Sequence, residues 1–401
     1  MSNIIIKGAE TPEELDIAKD LMARVHFSDY YTGMRWLDVG DDGWPEYKRE
    51  HNRMLFADGV LAAALRLFTY TARIGEARLK MGGFGCVTTA GPMRQRGYAA
   101  MLMGDSMRYL HAHGYHVSAL FGIADFYHRW GFASALPEYA SVIEVREAAA
   151  VSSPPFRLRA MKPGDIPAVQ RIHTRNDSET ACSIIRLGRH ISCRWDKWRT
   201  ARIVTDDKGR VTAYFIGQAQ SGEYVVEDAG VQDYGWCPAL LNACMTSAKN
   251  ECASRIRFTV PPSHPVVHYL LHYKSDHEMH VSRDSNGMLA VVNIEETLEC
   301  MIPEWESRLA TAADLCAEIT LIVERKPYRI RVHHGAVDVA ATAGLNKVSL
   351  SRAELAQLIA GARHSEEMLA VKRRVVNTAG VLLLTTIFPK RTPYIWHIDR
   401  F

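Results

Sequence analysis

Short apolar runs bounded by turn residues alternate in this chain with stretches whose apolar residues recur every three to four positions. That is the pattern of strands interleaved with amphipathic helices. Ile4-Ile5-Ile6 predicts a buried strand. Thr11-Pro12-Glu13-Glu14 predicts a helix start, with Thr11 as N-cap, Pro12 in the first turn and Glu14 closing a capping box. Leu15, Ala18, Leu21, Met22 and Val25 then share one helical face. Phe27 to Trp44 mixes aromatic and acidic residues (Asp29, Tyr30, Tyr31, Trp36, Asp38, Asp41, Asp42), which suits loops and a short helix. Met54–Phe56 and Val60–Tyr70 read as strands around an Asp58-Gly59 turn. Phe84–Thr89 reads as a strand that runs through a turn (Ala90-Gly91-Pro92) and the loop Arg94–Ala99 into a helix bearing Leu102, Met103, Met107 and Leu110. His113-Gly114 ends that helix, and Val117–Phe121 and Glu138–Val145 are further strands.

After a small-residue and proline linker, Ala148–Pro155, the order starts again. Phe156–Arg159 reads as a strand, Lys162-Pro163-Gly164-Asp165-Ile166 opens a helix, and Val211–Gly217 and Glu223–Asp228 are strands. Pro238–Asn250 is a helix and Arg255–Val260 a strand, so residues 156 to about 290 look like a diverged second copy. A third pattern follows Leu289–Ile294. Ala317–Glu324, Tyr328–His333 and Ala336–Ala341 read as consecutive antiparallel strands, Ser351-Arg352-Ala353-Glu354 as a capping box, Glu366–Val375 as a helix and Val381–Phe388 as a strand. The end, Tyr394 to Phe401, is apolar and aromatic where termini are usually polar, and reads as packed. The domains expected are therefore 1–150, 151–294 and 295–401, in a chain of 401 residues that is too long for one core.

Composition adds little to this picture. The chain is 47% hydrophobic and 23% charged with a net charge of +3, which gives no case for nucleic acid or membrane partners. Eight cysteines without a CxxC pair read as reduced thiols rather than a disulfide frame or zinc site, and Cys86 as a packing residue. There is no basic segment leading into an apolar run at the start and no apolar stretch of membrane length, so a cytoplasmic protein is expected. His268 and His272 have ligand spacing on a helix but no evident third ligand; they read as helix surface, and no metal is expected. The basic run Arg186, Arg189, Arg194, Lys197, Arg199, Arg202 with Trp195 and Trp198 reads as a solvated or subunit-facing helix.

The candidate chemistry lies between Cys86 and Phe132. A glycine-containing basic loop that opens a helix directly after a strand suits a phosphate, because unpaired N–H groups and the helix dipole face it. The corresponding loop of the second copy, Gly230–Trp236, is acidic and aromatic and suits one poorly.

Two motifs in this stretch resemble the GNAT acyl-CoA-dependent N-acetyltransferases. One is Arg94-Gln95-Arg96-Gly97-Tyr98-Ala99 between strand and helix, and the other is Phe126-Tyr127-His128-Arg129-Trp130-Gly131-Phe132. With the three-part layout, the chain resembles the "enhanced intracellular survival" branch. The fold this implies is α/β (α+β): tandem GNAT domains with mixed sheets flanked by helices, the second without the cofactor loop, and a sterol carrier protein-like α+β domain. The resemblance implies acetyl-CoA as donor, its pyrophosphate on Arg94, Gln95, Arg96, Gly97, Tyr98, Ala99 and Ala100, its pantetheine arm along Val87, Thr88 and Thr89, and Gly122 and Ile123 on the far side. Tyr98 would add bulk beside the cofactor. Tyr127 is implied as general acid and the terminal carboxylate of Phe401 as general base. An α-carboxylate, with a pKa of ~3.5, is ionised at neutral pH, and partial burial would raise its basicity. Asp29, Trp36 and Asp399 would meet a primary amine of a small molecule or lysine, while Arg400 adds a positive charge beside the terminus. A solvated acidic loop is the simpler reading of Asp29 to Asp42. The resemblance also implies a homo-oligomer, hexameric as in that branch. A lipid- or apolar-ligand-binding protein with a CoA-sensing or degenerate first domain is the alternative.

Overall fold

The computed structural model describes residues 3–38, 43–283, 285–312, 314–371 (of 371, the backbone alone) and 376–401. Asp41, Asp42 and the end of the helix expected over Glu366–Val375 lie outside them. The chain divides into two compact units. One comprises residues 1–135, 283–390 and 401, the other 136–282 and 391–400.

The first unit is built on a mixed sheet. β1 (Ile4–Gly8), β2 (Asn52–Ala57), β3 (Val60–Ile74) and β4 (Ala77–Thr89) are neighbours in that order, all antiparallel. β5 (Val117–Gly122) then pairs parallel to β4. Helix α1 (Pro12–His26) packs on one face, burying Leu15, Ala18 and Met22 with Met54 and Ala64, beside α2 (Tyr30–Asp38). Helix α3 (Tyr98–Ala112) covers the other face with Tyr98, Leu102, Met103 and Leu110 against Leu65, Phe84 and Leu120. Thr11 caps α1 as expected, accepting from the Glu14 N–H at 3.2 Å. The Glu14 carboxylate instead accepts from the Glu10 N–H and pairs with Lys7 at 2.6 Å.

The second unit has the same order of elements. Arg157–Ala160, Arg202–Thr205, Val211–Gln220 and Glu223–Val231 form the antiparallel part of its sheet, and Arg255–Phe258 pairs parallel to the last of them. In each sheet, however, the strand beyond the parallel one comes from the other copy's stretch of sequence. Glu138–Glu144 pairs with Arg255–Phe258, and Asn286–Val291 pairs with β5. Apolar patterning marks these as strands but carries no label for the sheet they join, so the compact units do not follow the boundaries drawn at 150 and 294.

The rest of the first unit is a four-stranded sheet in the order Ala336–Ala340, Lys326–His333, Ala317–Val323, Lys347–Leu350, with the first three antiparallel as expected. The Ser351 capping box is closed with Glu354, and Gly361 ends that helix at φ 72°. One expectation is corrected. Residues 381–388 are not a strand; Thr378–Ile387 is a helix, capped by Asn377 and burying Gly380, Leu383, Leu384 and Ile387. These positions are spaced i, i+3, i+4, i+7, but in so short and largely apolar a run the period is masked by Val381 and Leu382. No helix among the described residues is long and apolar enough to cross a membrane.

Candidate active site

β4 and β5 part company where the chemistry was expected. Their parallel ladder runs from Met81–Val117 to Phe84–Leu120 and stops, although β4 continues to Thr89 and β5 to Gly122. A bulge in the β3–β4 ladder opposite Ala64 to Arg66, with Cys86 at φ 51°, turns β4 at this point. The result is a wedge between two strand ends. Val87, Thr88 and Thr89 lie along one side. The Thr88 hydroxyl donates to the Cys86 carbonyl at 2.8 Å, and His26 Nε2 lies 3.2 Å from the Val87 carbonyl oxygen. Burial pushes the Cys86 thiol up to about 11, away from the range of a nucleophile.

β4 runs through a short turn at Gly91–Met93 into the loop expected to hold phosphate. Arg94, Gln95, Arg96 and Gly97 are exposed. Gln95 (φ 64°) and Gly97 (φ 79°) are both left-handed, and Gly97 is the N-cap of α3 with no side-chain cap in place. A Cβ at Gly97 would meet no protein atom within 4 Å, so the space in front of the helix start is open. The N–H groups of Tyr98, Ala99 and Ala100 have no carbonyl partner within the helix and are directed there. Tyr98 adds no bulk to that space, because its ring is buried under α3.

The end of β5 carries two aromatic neighbours on opposite faces, since successive strand residues point opposite ways. Phe121 meets the ring of Phe401, with centroids 6.1 Å apart. Gly122 meets Tyr127, whose ring leaves no room for a side chain; a Cβ there would sit 2.3 Å from Cε2. Tyr127 lies on the turn Tyr127–Trp130, is 8% exposed, and packs on Phe126 and Phe132. Burial raises its hydroxyl above the usual tyrosine pKa.

Phe401 occupies a seat that the sequence did not disclose. Its ring packs against Phe68 at 5.7 Å and Tyr70 at 5.5 Å, over Gly83 and Gly85 of β4. A Cβ at Gly83 would come within 2.5 Å of the ring, and one at Gly85 within 3.2 Å of the terminal carboxyl carbon. The available signal was Gly82-Gly83-Phe84-Gly85 inside a strand, a composition that marks close approach of another group. Trp36 joins this aromatic group through Phe68 at 5.6 Å, and it also touches Phe27.

The acidic residues have other partners. Asp29 is exposed and accepts from the Thr32 N–H at 2.8 Å, a bond at the start of α2 that, with the Thr32 side chain, lowers its pKa. Asp38 pairs with Lys19 at 2.9 Å. Ile123 is 69% exposed beyond the strand end. Asp399 lies in the second unit and is buried there. Arg186, buried and not solvated as expected, donates to both Asp399 oxygens and to Asp228 at 2.7 Å. Arg194 of the same basic run is also buried, donating to the carbonyls of Ile398 and Arg400. The Arg400 guanidinium pairs with Glu138 at 2.8 Å, so its charge is neutralised within that unit. His397 and Arg400 bonded to Glu138 hold that carboxyl at about 2 although burial opposes them.

Comparison with known proteins agrees with this geometry. Residues 10–135 match the family profile described as an acetyltransferase (GNAT) domain. No curated protein matches the chain by sequence. Among solved structures, a GCN5-related N-acetyltransferase from Kribbella flavida superposes with a TM-score of 0.77 at 18% identity, covering 100% of this chain and 99% of that one. One from Anabaena variabilis gives 0.75 at 14% identity over 100% of both chains. Eis1 from Mycobacterium abscessus gives 0.67 at 14% identity, again over 100% of both. At such identities these likenesses are of fold. Residues 10–135 thus match the profile of a GNAT acetyltransferase domain, and the mixed α/β fold of the chain is similar along its length to that of solved GCN5-related N-acetyltransferases.

Proposed function

We propose that this chain is an acetyl-CoA-dependent N-acetyltransferase of the Eis-like type, acting on a primary amine of a small molecule or lysine. The observation that carries the reading is the placement of the chain's terminal carboxyl on the glycine seat of β4, beside the wedge, with Tyr127 at the end of the facing strand. Acetyl-CoA is here a donor substrate. Its pyrophosphate suits the exposed, uncapped start of α3 with Arg94 and Arg96, and its extended arm suits the edge of β4 at Val87 to Thr89, beyond the end of the β4–β5 ladder.

The chain's own groups then divide the proton transfers. The Phe401 carboxylate accepts a proton from the amine, whose nitrogen forms the new bond to the acetyl carbon. The C–S bond breaks, and the Tyr127 hydroxyl gives its proton to the departing thiolate. Trp36 and the aromatic wall of Phe68 and Tyr70 border the acceptor side, and Asp29 stands at its acidic edge. The homo-oligomer and sterol carrier protein-like domain of that branch belong to the same proposal.

Replacing Tyr127 by Phe tests the acid directly. The packing is kept, so acetyl-CoA affinity measured by calorimetry should change less than about twofold, while kcat falls about 10²-fold or more, the usual worth of a positioned acid. Because burial raises the Tyr127 pKa, an alkaline fall in wild-type turnover caused by loss of this proton should come at higher pH than the ionisation of a free tyrosine. Equal kcat in the wild type and Tyr127→Phe would remove Tyr127 from the mechanism.

A further inference from the structure

We propose that Cys316, His333 and His334 form a binding site for a transition-metal ion of the Zn2+ class. The register of the third sheet brings them together. Ala317 pairs with Val332 at the end of an antiparallel ladder, so Cys316, just before the one strand, and His333, at the end of the other, flank that last pair. The next strand, Ala336–Ala340, turns back immediately, pairing Ala336 with His333. The two residues between, His334 and Gly335, have φ 48° and 78°, the tight hairpin turn in which both central residues are left-handed. That turn folds His334 back on its neighbour, and the two imidazole rings lie 4.3 Å apart at 80°.

One thiol sulfur and one ring nitrogen from each histidine consequently lie within 4.8 Å of one another. In a tetrahedral site with Zn–S of ~2.3 Å and Zn–N of ~2.0 Å, such donor atoms are roughly 3.3–3.5 Å apart. All three side chains are exposed, so small rotations about χ1 and χ2 close that gap without moving backbone. Two imidazoles and a thiolate select Zn2+, Co2+, Ni2+ or copper over Mg2+ and Ca2+. Three protein ligands leave a fourth position for water. Binding displaces the thiol proton and ties the start of one strand to the hairpin tip. Sequence reading passes over this set because Cys316 and the two histidines are separated by a whole strand pair. The site shares no residue with the proposed transferase centre, so either reading can fail alone.

The test is a Co2+ titration of the full-length, reduced protein, followed by absorption. The expected result is one equivalent of Co2+ showing tetrahedral d–d bands and a thiolate charge-transfer band, both bleached by Zn2+. Cys316→Ser should abolish the charge-transfer band. Each of Cys316→Ser, His333→Ala and His334→Ala should weaken Co2+ binding by at least about tenfold. Cys252→Ser, at another exposed cysteine, should change neither readout. These exposed positions contribute little packing, and a far-UV spectrum matching the wild type verifies folding. Absence of a charge-transfer band at one equivalent, or its survival in Cys316→Ser, would overturn the proposal.

Discussion

Adding a few residues after Phe401, or deleting Phe401, is expected to lower kcat by about 10²–10⁴-fold while leaving acetyl-CoA affinity within about twofold. An extended chain turns the terminal carboxylate into an amide carbonyl, which cannot take a proton from an ammonium. It must also lead on from a Phe401 main chain and ring that already lie close over Gly85 and Gly83. Deletion moves the carboxylate to Arg400, whose side chain is held by Glu138 and the Ile395 carbonyl. Phe401→Ala separates the two roles of the residue. It keeps the carboxylate but loses ring contacts with Phe68, Tyr70 and Phe121, so an intermediate loss in kcat is expected. The phosphate loop and the edge of β4 are untouched in every variant, which is why donor affinity should hold. Steady-state kinetics with calorimetry on the same preparations checks both halves, and full kcat in the extended chain would eliminate the terminal base.

The second large effect concerns stability. Arg186→Met should destabilise the second unit by about 3–5 kcal/mol at pH 7, the usual cost of orphaning a buried ion pair. One guanidinium, stacked on Trp198, serves two carboxylates, and Tyr214 donates to Asp228 at 2.8 Å. Its removal leaves both buried carboxylates without the guanidinium they share. Even in the wild type, burial pushes the Asp228 carboxyl up to about 6 against the pull of Arg186. The folded state therefore binds this proton between pH ~6 and ~4, where the unfolded chain does not, and this group adds stability as pH falls through that window. In Arg186→Met the relief by acid should be larger, so the gap between variant and wild type should narrow from pH 7 to pH 5. Thermal melts at the two pH values measure it, with a shift on the order of 10 °C expected at pH 7. A gap that widens in acid would contradict the burial of these charges.

Much of this fold was legible because helices and strands leave a period in the sequence. Thr11, Gly97 and Ser351 marked helix starts, and His113 and Gly361 marked ends, through capping chemistry that is local. The loop Arg94–Ala99 was legible for the same reason, since one strand, one turn and one helix place it. What was hidden depended on partners far along the chain. Glu138–Val145 and Leu289–Ile294 read as strands, and strands stand at Glu138–Glu144 and, three residues earlier than read, at Asn286–Val291, but nothing in their composition states which sheet receives them. Arg186 looked solvated because its neutralising acids stand 42 and 213 residues away. The glycines at 83 and 85 announced a close approach without naming what approaches.

The central reading, acetyl transfer from acetyl-CoA to an amine, is tested most directly by one rate. Release of free CoA thiol from acetyl-CoA should be followed with the intact chain, with and without a panel of polyamines, aminoglycosides and lysine peptides. We expect saturable, amine-dependent thiol release by at least one member of the panel, with little release when amine is omitted. Acetyl-CoA binding without amine-dependent release across the panel, together with an apolar molecule retained on purification, would contradict it.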